Sequence, residues 1–444
     1  MSELAKTLEN IVGVEHLLAD GEARRYAVDG WVPTVVVSPG TLEEVSAVLA
    51  ACSKADAAVV PWGGGVHMGL GSLPKKVDAV LALGRMNQVL DHEPGDMTST
   101  VQVGMALSHF QSHLGRHGQF LSLDPPGGSR ATIGGILAAN ASGPRRLRYG
   151  AARDLLIGLR VVHADGTVTK GGAKVVKNVT GYDMNKLYVG SLGTLGVIVE
   201  ATFRLYPIPP AERTWVASFP TALKAGEAIA GVLGSSIVPS AVELLNDTAA
   251  VTVGAQSGVT RGLGGVLLAV SVASVPEAVE AQIQTVRGMM REAGDGLVLD
   301  GQAHERFWAA VRDLDPGDGA LMVLKASVLP ARVAEAMEHG ERLAAQQGLR
   351  VMIVSEAGTG VLRYSFRADG GADRIIRLAG VVDPLRAFAA GAKGSLVVLQ
   401  APPEVKATVD VWGPIGQSFA LIQRLKDQFD PGRILNPGRF VGGL

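Results

Sequence analysis

Val59-Val60-Pro61-Trp62-Gly63-Gly64-Gly65-Val66-His67-Met68-Gly69-Leu70-Gly71 is the stretch on which the reading of this chain turns. A short apolar run ends at Pro61, and five glycines follow within nine residues. Consecutive glycines permit positive φ angles and let amide N–H groups point into one concavity free of side chains. Such a concavity suits a phosphate or pyrophosphate, although a glycine-rich surface turn has the same composition. The flanking order narrows the choice. Thr34-Val35-Val36-Val37 reads as a strand stopped by Ser38-Pro39-Gly40. Thr41 with Glu44 forms a capping box, and Val45, Val48, Leu49 and Cys52 then recur at helical spacing. Ala57–Pro61 is a second strand, which delivers the chain to the glycines. A Walker loop needs Lys-Ser/Thr and a helix after its glycines, and no Gly-x-Gly-x-x-Gly opening a helix is present. A nucleotide bound here is held in another manner.

Downstream, Val77–Leu83 and Thr98–Val103 read as strands, and a helix between Met105 and Gly118 turns Leu107, Phe110 and Leu114 inward. His109, His113 and His117 recur four apart on that helix. A zincin would need Glu where Phe110 stands, and no carboxylate accompanies the three, so they read as a solvated or half-buried face and no metal ligand is expected. Leu123-Asp124-Pro125-Pro126-Gly127-Gly128-Ser129-Arg130-Ala131-Thr132-Ile133-Gly134-Gly135-Ile136-Leu137-Ala138-Ala139-Asn140-Ala141-Ser142-Gly143 is dominated by small residues. They permit close approach of backbone to a flat or extended ligand, with Thr132 and Asn140 supplying hydrogen-bonding groups; a tightly packed helix entry has the same composition. Arg145, Arg146 and Arg148 follow, to face phosphate, pair with Asp154 or lie exposed. Leu156–Val162, the Asp165-Gly166 turn and Thr167–Thr169 form a hairpin. Lys177-Asn178-Val179-Thr180-Gly181-Tyr182-Asp183 then leads into Gly190-Ser191-Leu192-Gly193-Thr194-Leu195-Gly196-Val197-Ile198, and the strand Val199–Tyr206 closes the region.

The totals bound the class. A chain of 444 residues is long enough for two or three domains. Its formal net charge of −1 and 47% hydrophobic residues mark a well-packed globular protein without the basic excess that attracts nucleic acid. The single cysteine, Cys52, excludes a disulfide framework and a cysteine-ligated iron–sulfur cluster within this chain, and its spacing places it as a buried structural thiol. Met1-Ser2-Glu3-Leu4-Ala5-Lys6 lacks a signal-peptide pattern, and no apolar run reaches the roughly 18 residues of a spanning helix. The longest candidate, Leu263–Val275, reads as a buried strand. These features predict a cytoplasmic protein with no transmembrane segment.

Three stretches in one order, Gly63–Gly71, Ala131–Gly143 and Lys177–Ile198, resemble the FAD-binding (PCMH-type) domain of the vanillyl-alcohol-oxidase flavoproteins. The chain end, Phe429-Asp430-Pro431-Gly432-Arg433-Ile434-Leu435-Asn436-Pro437-Gly438, matches the Leu-Asn-Pro-Gly terminus of the same group. The resemblance covers nearly the whole chain and implies bound FAD. It implies that Gly63, Gly64, Gly65, Val66 and His67 wrap the pyrophosphate, and that Pro126, Ala131, Thr132 and Gly134 line the path to the isoalloxazine ring. It further implies that Ala139, Asn140 and Gly143 hold ribose and diphosphate, that Ile198 contacts the adenine end, and that Asn436 reaches the flavin ring. Members that attach FAD covalently carry a histidine directly after the loop glycines. Here Val66 stands there and His67 one place later, so FAD is expected to be non-covalent.

From Trp215 the composition changes to alternating strands and longer helices. Ser274 with Glu277 reads as a capping box for a helix through Met290, and Ala320–Val328, Arg350–Ser355 and Val361–Phe366 read as strands, with a helix from Pro330 to Gln347. The order predicts an antiparallel sheet with helices on one face. The resulting fold class is α+β: a two-subdomain PCMH-type FAD-binding domain over 1–212, an α+β cap over 213–410, and a segment over 411–444 returning to the FAD domain. That return helix is expected to turn Phe419, Ile422, Leu425 and Phe429 inward.

Related 2-hydroxy-acid dehydrogenases carry Gly-His-x-Gly-Asp-Gly-Asn-x-His in the cap, whose histidines hold a divalent metal. This chain reads Arg350-Val351-Met352-Ile353-Val354-Ser355-Glu356-Ala357-Gly358-Thr359-Gly360-Val361-Leu362 instead. That form is similar to the FAD-binding subunit of glycolate oxidase, GlcE, which works beside a second flavoprotein subunit and an iron–sulfur subunit, and so reaches the membrane surface, if at all, through a complex. The resemblance implies oxidation of a small 2-hydroxy acid such as glycolate or D-lactate, by hydride transfer to flavin N5. Lys325, on a cap strand, is the candidate catalytic partner for the substrate carboxylate, with Asn436 beside the flavin; Glu356 and Arg363 flank the cap turn. The alternatives are a flavin-holding scaffold without substrate chemistry, and a stand-alone flavin enzyme for another alcohol or sugar.

Overall fold

The computed structural model describes residues 2–172, 182–259, 264–290, 293, 296–314 and 320–444. Lys177–Gly181 of the motif above lie outside them. Contacts divide the chain into two units: Met1–Ser142, Ala151–Ile208 and Pro414–Leu444 form the first, Gly143–Gly150 and Pro209–Gly413 the second. The short segment Gly143–Gly150, which the sequence kept with the first domain, therefore packs with the second.

Strands of the first unit are β1 (Leu17–Ala19), β2 (Val35–Val37), β3 (Val59–Trp62), β4 (Ala79–Ala82), β5 (Val89–Glu93), β6 (Thr98–Gln102), β7 (Gln119–Phe120), β8 (Leu156–Val162), β9 (Val168–Gly172), β10 (Val197–Arg204) and β11 (Tyr206–Pro207). They form a four-stranded sheet ordered β1-β2-β4-β3, a five-stranded sheet ordered β5-β6-β10-β8-β9, and the pair β7–β11. β2, β4 and β3 are parallel. β2 and β3 flank β4, and the helix Leu42–Lys54 is the crossover that carries the chain from β2 to β3 in the same direction. Thr41 caps that helix by accepting from the Glu44 amide at 3.1 Å, but Glu44 reaches back to the Gly40 amide at 2.6 Å rather than to that of Thr41. Cys52 is fully buried, and burial with the nearby Asp78 charge pushes its thiol up to about 12, which leaves it inert as expected. Leu107, Phe110 and Leu114 are buried along the helix Leu107–Gly115.

The C-terminal helix turns Phe419, Ile422, Leu425 and Phe429 inward as expected, although each is only half-buried, and the fully enclosed residue of Phe419–Phe429 is Lys426. Its ammonium donates to Asp430 Oδ2 at 2.6 Å, the Thr194 carbonyl at 2.8 Å and the Leu435 carbonyl at 3.0 Å. Three oxygens satisfy its three donors, which makes the position tolerable for a charge. The tail beyond pairs with β3: the Val59 amide donates to the Ile434 carbonyl and the Asn436 amide to the Val59 carbonyl, each at 2.8 Å.

The second unit contains β12 (Ala211–Phe219), β13 (Pro239–Leu245), β14 (Val266–Ser274), β15 (Leu297–Leu299), β16 (Ala320–Ser327), β17 (Arg350–Glu356), β18 (Val361–Ala368) and β19 (Ser395–Gln400). They make one antiparallel sheet ordered β15-β12-β14-β13-β17-β18-β16-β19. Helices cover both faces rather than one. Ala225, Ile229, Ile283 and Met337 pack with Ala217, Leu244 and Leu268 on one face. Ala249, Val253 and Phe307 pack with Val216, Leu245 and Leu267 on the other, because alternate residues of these central strands are apolar too. The expected Ser274 cap does not form: Ser274 ends β14, and Pro276 starts the helix Pro276–Met289 at its first position, where its fixed φ fits and its missing N–H is not needed.

Glu212, on β12, sets an acid limit on this unit. It pairs with Arg145 at 3.1 Å and lies 3.5 Å from His304, whose other ring nitrogen meets Thr214 Oγ1 at 2.9 Å. Burial pushes its carboxyl up, but hydrogen bonding to His304 and the Arg145 charge more than offset this and bring it to about 2 from the ordinary 4.5. A carboxylate depressed on folding contributes stability above its unfolded pKa and loses it as pH falls towards the folded one, here about 3 kcal/mol. Between about pH 5 and pH 2, wild type is expected to lose more stability in denaturant titrations than Glu212→Gln. Parallel acid limbs in the two proteins would refute this assignment.

Candidate flavin-binding site

The loop after β3 packs so tightly that side chains have no room. An ideal Cβ on Gly64 would lie 1.6 Å from the Arg130 carbonyl oxygen, and Gly65 has a φ of +74° that favours glycine. Among the described residues, the amides of Gly64, Gly65 and Val66 donate no hydrogen bond within the protein. They border a cleft whose walls also include His67, Ala131, Thr132, Ala139 and Asn436. A second cleft shares Pro61, Gly63, Gly135 and Ala138 with it and extends to Gly134 and Ile198. Thr132 begins the helix Ile133–Ala139 and accepts from the Gly135 amide at 3.3 Å. Asn140 closes it in the left-handed conformation, with its Oδ1 enclosed and lacking a hydrogen-bond partner among the described residues. Unused amides in a side-chain-free loop fit a pyrophosphate, and two joined clefts of small and apolar residues fit an extended dinucleotide.

The second unit carries its own charged cluster. On β16, Lys325 stands opposite Arg363 of β18. Burial and the charge of Arg146 lower the Lys325 pKa, with Glu356 opposing them. The Glu356 carboxyl is pushed up by burial against the pull of Arg146, and it accepts from Thr359 Oγ1 at 3.2 Å. Arg363 is engaged elsewhere: its guanidinium donates to the Val311 and Arg312 carbonyls at 3.3 and 3.4 Å, capping the helix Gly301–Arg312. It is a structural cation.

Comparison with known proteins gives the family. The FAD binding domain family matches residues 33–172, and the C-terminal domain of FAD linked oxidases matches 208–397 and 415–440. D-lactate dehydrogenase of Archaeoglobus fulgidus is 30% identical over 424 residues, covering 92% of this chain and 92% of that protein. The chain belongs to the FAD-linked oxidases. Glycolate oxidase subunit GlcD of Bacillus subtilis is 28% identical over 418 residues, covering 92% of this chain and 89% of its own. The fold of p-cresol methylhydroxylase superposes with a TM-score of 0.79 at 16% identity, over 98% of this chain and 96% of that one. This FAD-linked oxidase is accordingly an FAD-dependent oxidoreductase of PCMH-type fold, as its motifs implied. No helix among its described residues is long and apolar enough to cross a membrane.

The structure gathers most of the expected flavin residues of this oxidase. Gly63, Gly64, Gly65, Val66, His67, Ala131, Thr132, Ala139 and Asn436 line the first cleft, and Gly134 and Ile198 the second. Pro126, Asn140 and Gly143 line neither. Pro126 is half-buried beside Gly127, where an added Cβ would meet the Val66 side chain at 2.7 Å, and Gly143 begins the segment that packs in the second unit. Asn436 spends both ends of its amide locally, Nδ2 on the Leu192 carbonyl at 2.8 Å and Oδ1 on Arg439 at 3.4 Å. The sequence reading passed over Arg439. Buried to 2% exposure, with its pKa lowered to about 10 by that burial, it donates to the Met68 and Leu70 carbonyls and ties the end of the glycine loop to the tail. Its place three residues after Asn436 was the available signal.

Proposed function

We propose that this oxidase acts on a small 2-hydroxy acid of the glycolate or D-lactate class, as the GlcE-like FAD-binding subunit of a glycolate oxidase complex with a second flavoprotein subunit and an iron–sulfur subunit. The observation that carries the substrate class is the partly desolvated Lys325, next to Arg146 and Glu356. Two cations offer the counter-charge for a carboxylate, and a carboxyl kept high by burial lies ready to hold a proton. Relatives named glycolate oxidase subunit GlcD and D-lactate dehydrogenase support the same class. The subunit role is supported by the β17–β18 turn, Ala357-Gly358-Thr359-Gly360, which offers no ligating histidine. Bound flavin supplies the hydride acceptor at N5. With Val66 directly after the glycines, no side chain there can form a bond to it, and FAD is held non-covalently; acid precipitation is expected to release all the flavin into the supernatant.

Anaerobic addition of glycolate or D-lactate, to this chain alone and with its partner subunits, is expected to bleach the flavin absorbance. Lys325→Met is expected to keep its flavin and to raise the half-saturating acid at least about thirtyfold, the loss of roughly 2 kcal/mol for a desolvated charge pair. No bleaching in either preparation would end the substrate reading. Activity of the complex that Lys325→Met leaves intact would instead make this chain a flavin-holding scaffold.

A further inference from the structure

Three imidazoles meet on the first unit, away from the residues that line the two clefts. His113 stands in the last turn of the helix Leu107–Gly115, His117 just beyond it, and His92 on β5. One ligand atom from each lies within 4.8 Å of the others. The ring centroids of His92 are 5.2 Å from His113 and 4.8 Å from His117. Helical spacing had grouped His109 with His113 and His117; the fold leaves His109 out and brings in His92 from a strand fifteen or more residues earlier in the chain.

Hydrogen bonding fixes which nitrogen of His92 is free to ligate. Gln119 donates its amide nitrogen to the Pro94 carbonyl at 2.7 Å, so its Oε1, 2.9 Å from His92 Nε2, must accept. His92 therefore carries its proton on Nε2 and keeps the lone pair on Nδ1. A buried amide oxygen holding the distal N–H of an imidazole is the outer-shell arrangement that orients metal-binding histidines. His113 Nε2 is shielded from water and makes no hydrogen bond among the described residues, which is costly for a nitrogen with no ligand of its own. His117 is exposed and provides an entrance.

We propose that His92, His113 and His117 bind one zinc(II)-class divalent ion, in a site separate from the flavin clefts. Three imidazoles and no carboxylate favour a borderline transition metal over magnesium or calcium, which prefer oxygen. Tetrahedral zinc with bonds of about 2.0–2.1 Å needs donor atoms about 3.4 Å apart, so modest ring rotations close the site around the ion, with water as the fourth ligand. The ion would clamp β5 to the end of the helix whose first residue, Leu107, donates to the Ala131 carbonyl at 2.8 Å in the cleft wall.

The test uses the full-length flavoprotein, stripped with EDTA and titrated with zinc chloride by calorimetry. One saturable site per chain is expected, together with a rise in thermal midpoint, and magnesium chloride is expected to give neither. His117→Gln, an exposed change that leaves the metal-free midpoint unaltered, should weaken zinc binding at least about a hundredfold, and Gln119→Leu about 10–100-fold. His109→Gln should bind as wild type. Cobalt(II) should give the visible absorption of a tetrahedral site in wild type and lose it in His117→Gln. Zinc binding with equal affinity in wild type and His117→Gln, or no saturation below about 100 μM, overturns the proposal.

Discussion

Gly64→Ala is expected to purify without flavin. The added methyl carbon would sit 1.6 Å from the Arg130 carbonyl oxygen and 2.7 Å from its carbon, both backbone atoms that no rotamer change can move aside. Either the loop or the segment Gly128–Arg130 must shift by well over an ångström. Arg130 leads directly into Ala131 and Thr132, so the shift displaces one wall of the cleft while opening the opposite one. Loss of contact along the proposed pyrophosphate cradle is expected to weaken FAD at least about a hundredfold, or roughly 3 kcal/mol. Gly84→Ala, where nothing lies within 4 Å of the new carbon, provides the control and should retain full flavin. Flavin stoichiometry after gel filtration and fluorescence titration of the stripped proteins measure both. Tight FAD binding by Gly64→Ala would remove the loop from the site.

Lys426→Met should destabilise the first unit by about 3–5 kcal/mol, the usual consequence of leaving one member of a buried ion pair behind. Asp430, fully buried, would keep its bonds from the Ile434 and Leu435 amides at 3.1 and 2.9 Å but lose the cation 2.6 Å away. The damage should reach the cofactor, because Ile434 and Asn436 hold β3 immediately before the glycine loop. Release of flavin fluorescence in a urea titration reports on this unit directly, and its midpoint should fall sharply. Lys426→Met combined with Asp430→Asn should be less damaging than the two single changes added together, since the double variant buries no charge. A shift under about 1 kcal/mol for Lys426→Met would mean that water reaches the pair.

These two positions differ in how visible they were beforehand. Gly64 belongs to a run of glycines whose composition alone implies a close backbone approach, although its neighbour, Arg130, is a long-range contact that no local pattern contains. Lys426 was hidden by its chemistry. Periodicity assigns the apolar Phe419, Ile422, Leu425 and Phe429 to the inner face, where they are half-buried, but the fully buried position goes to an ammonium that oxygens of Thr194, Asp430 and Leu435 satisfy. Asp430, four residues on, was the one local hint. Ser274 and Glu277 failed as a cap for a local reason, since Pro276 between them already starts the helix.

What the sequence determined by itself was local or periodic: the strand–helix–strand order of β2, its following helix and β3, the β8–β9 hairpin, the buried thiol of Cys52, and the ordered set of glycine-rich motifs that marks an FAD-linked oxidase. Each depends on spacing within a few residues, where backbone geometry and apolar periodicity act directly. Tertiary structure alone decided that Asn436 ties down Leu192 and Arg439, that Arg363 caps a helix while Lys325 stays beside Arg146 and Glu356, and that His92 replaces His109 among the imidazoles. In most of these cases a polar group's partner is set by strands and turns far apart in the chain. Burial requires that the partner exist, but only the packed fold selects which one it is.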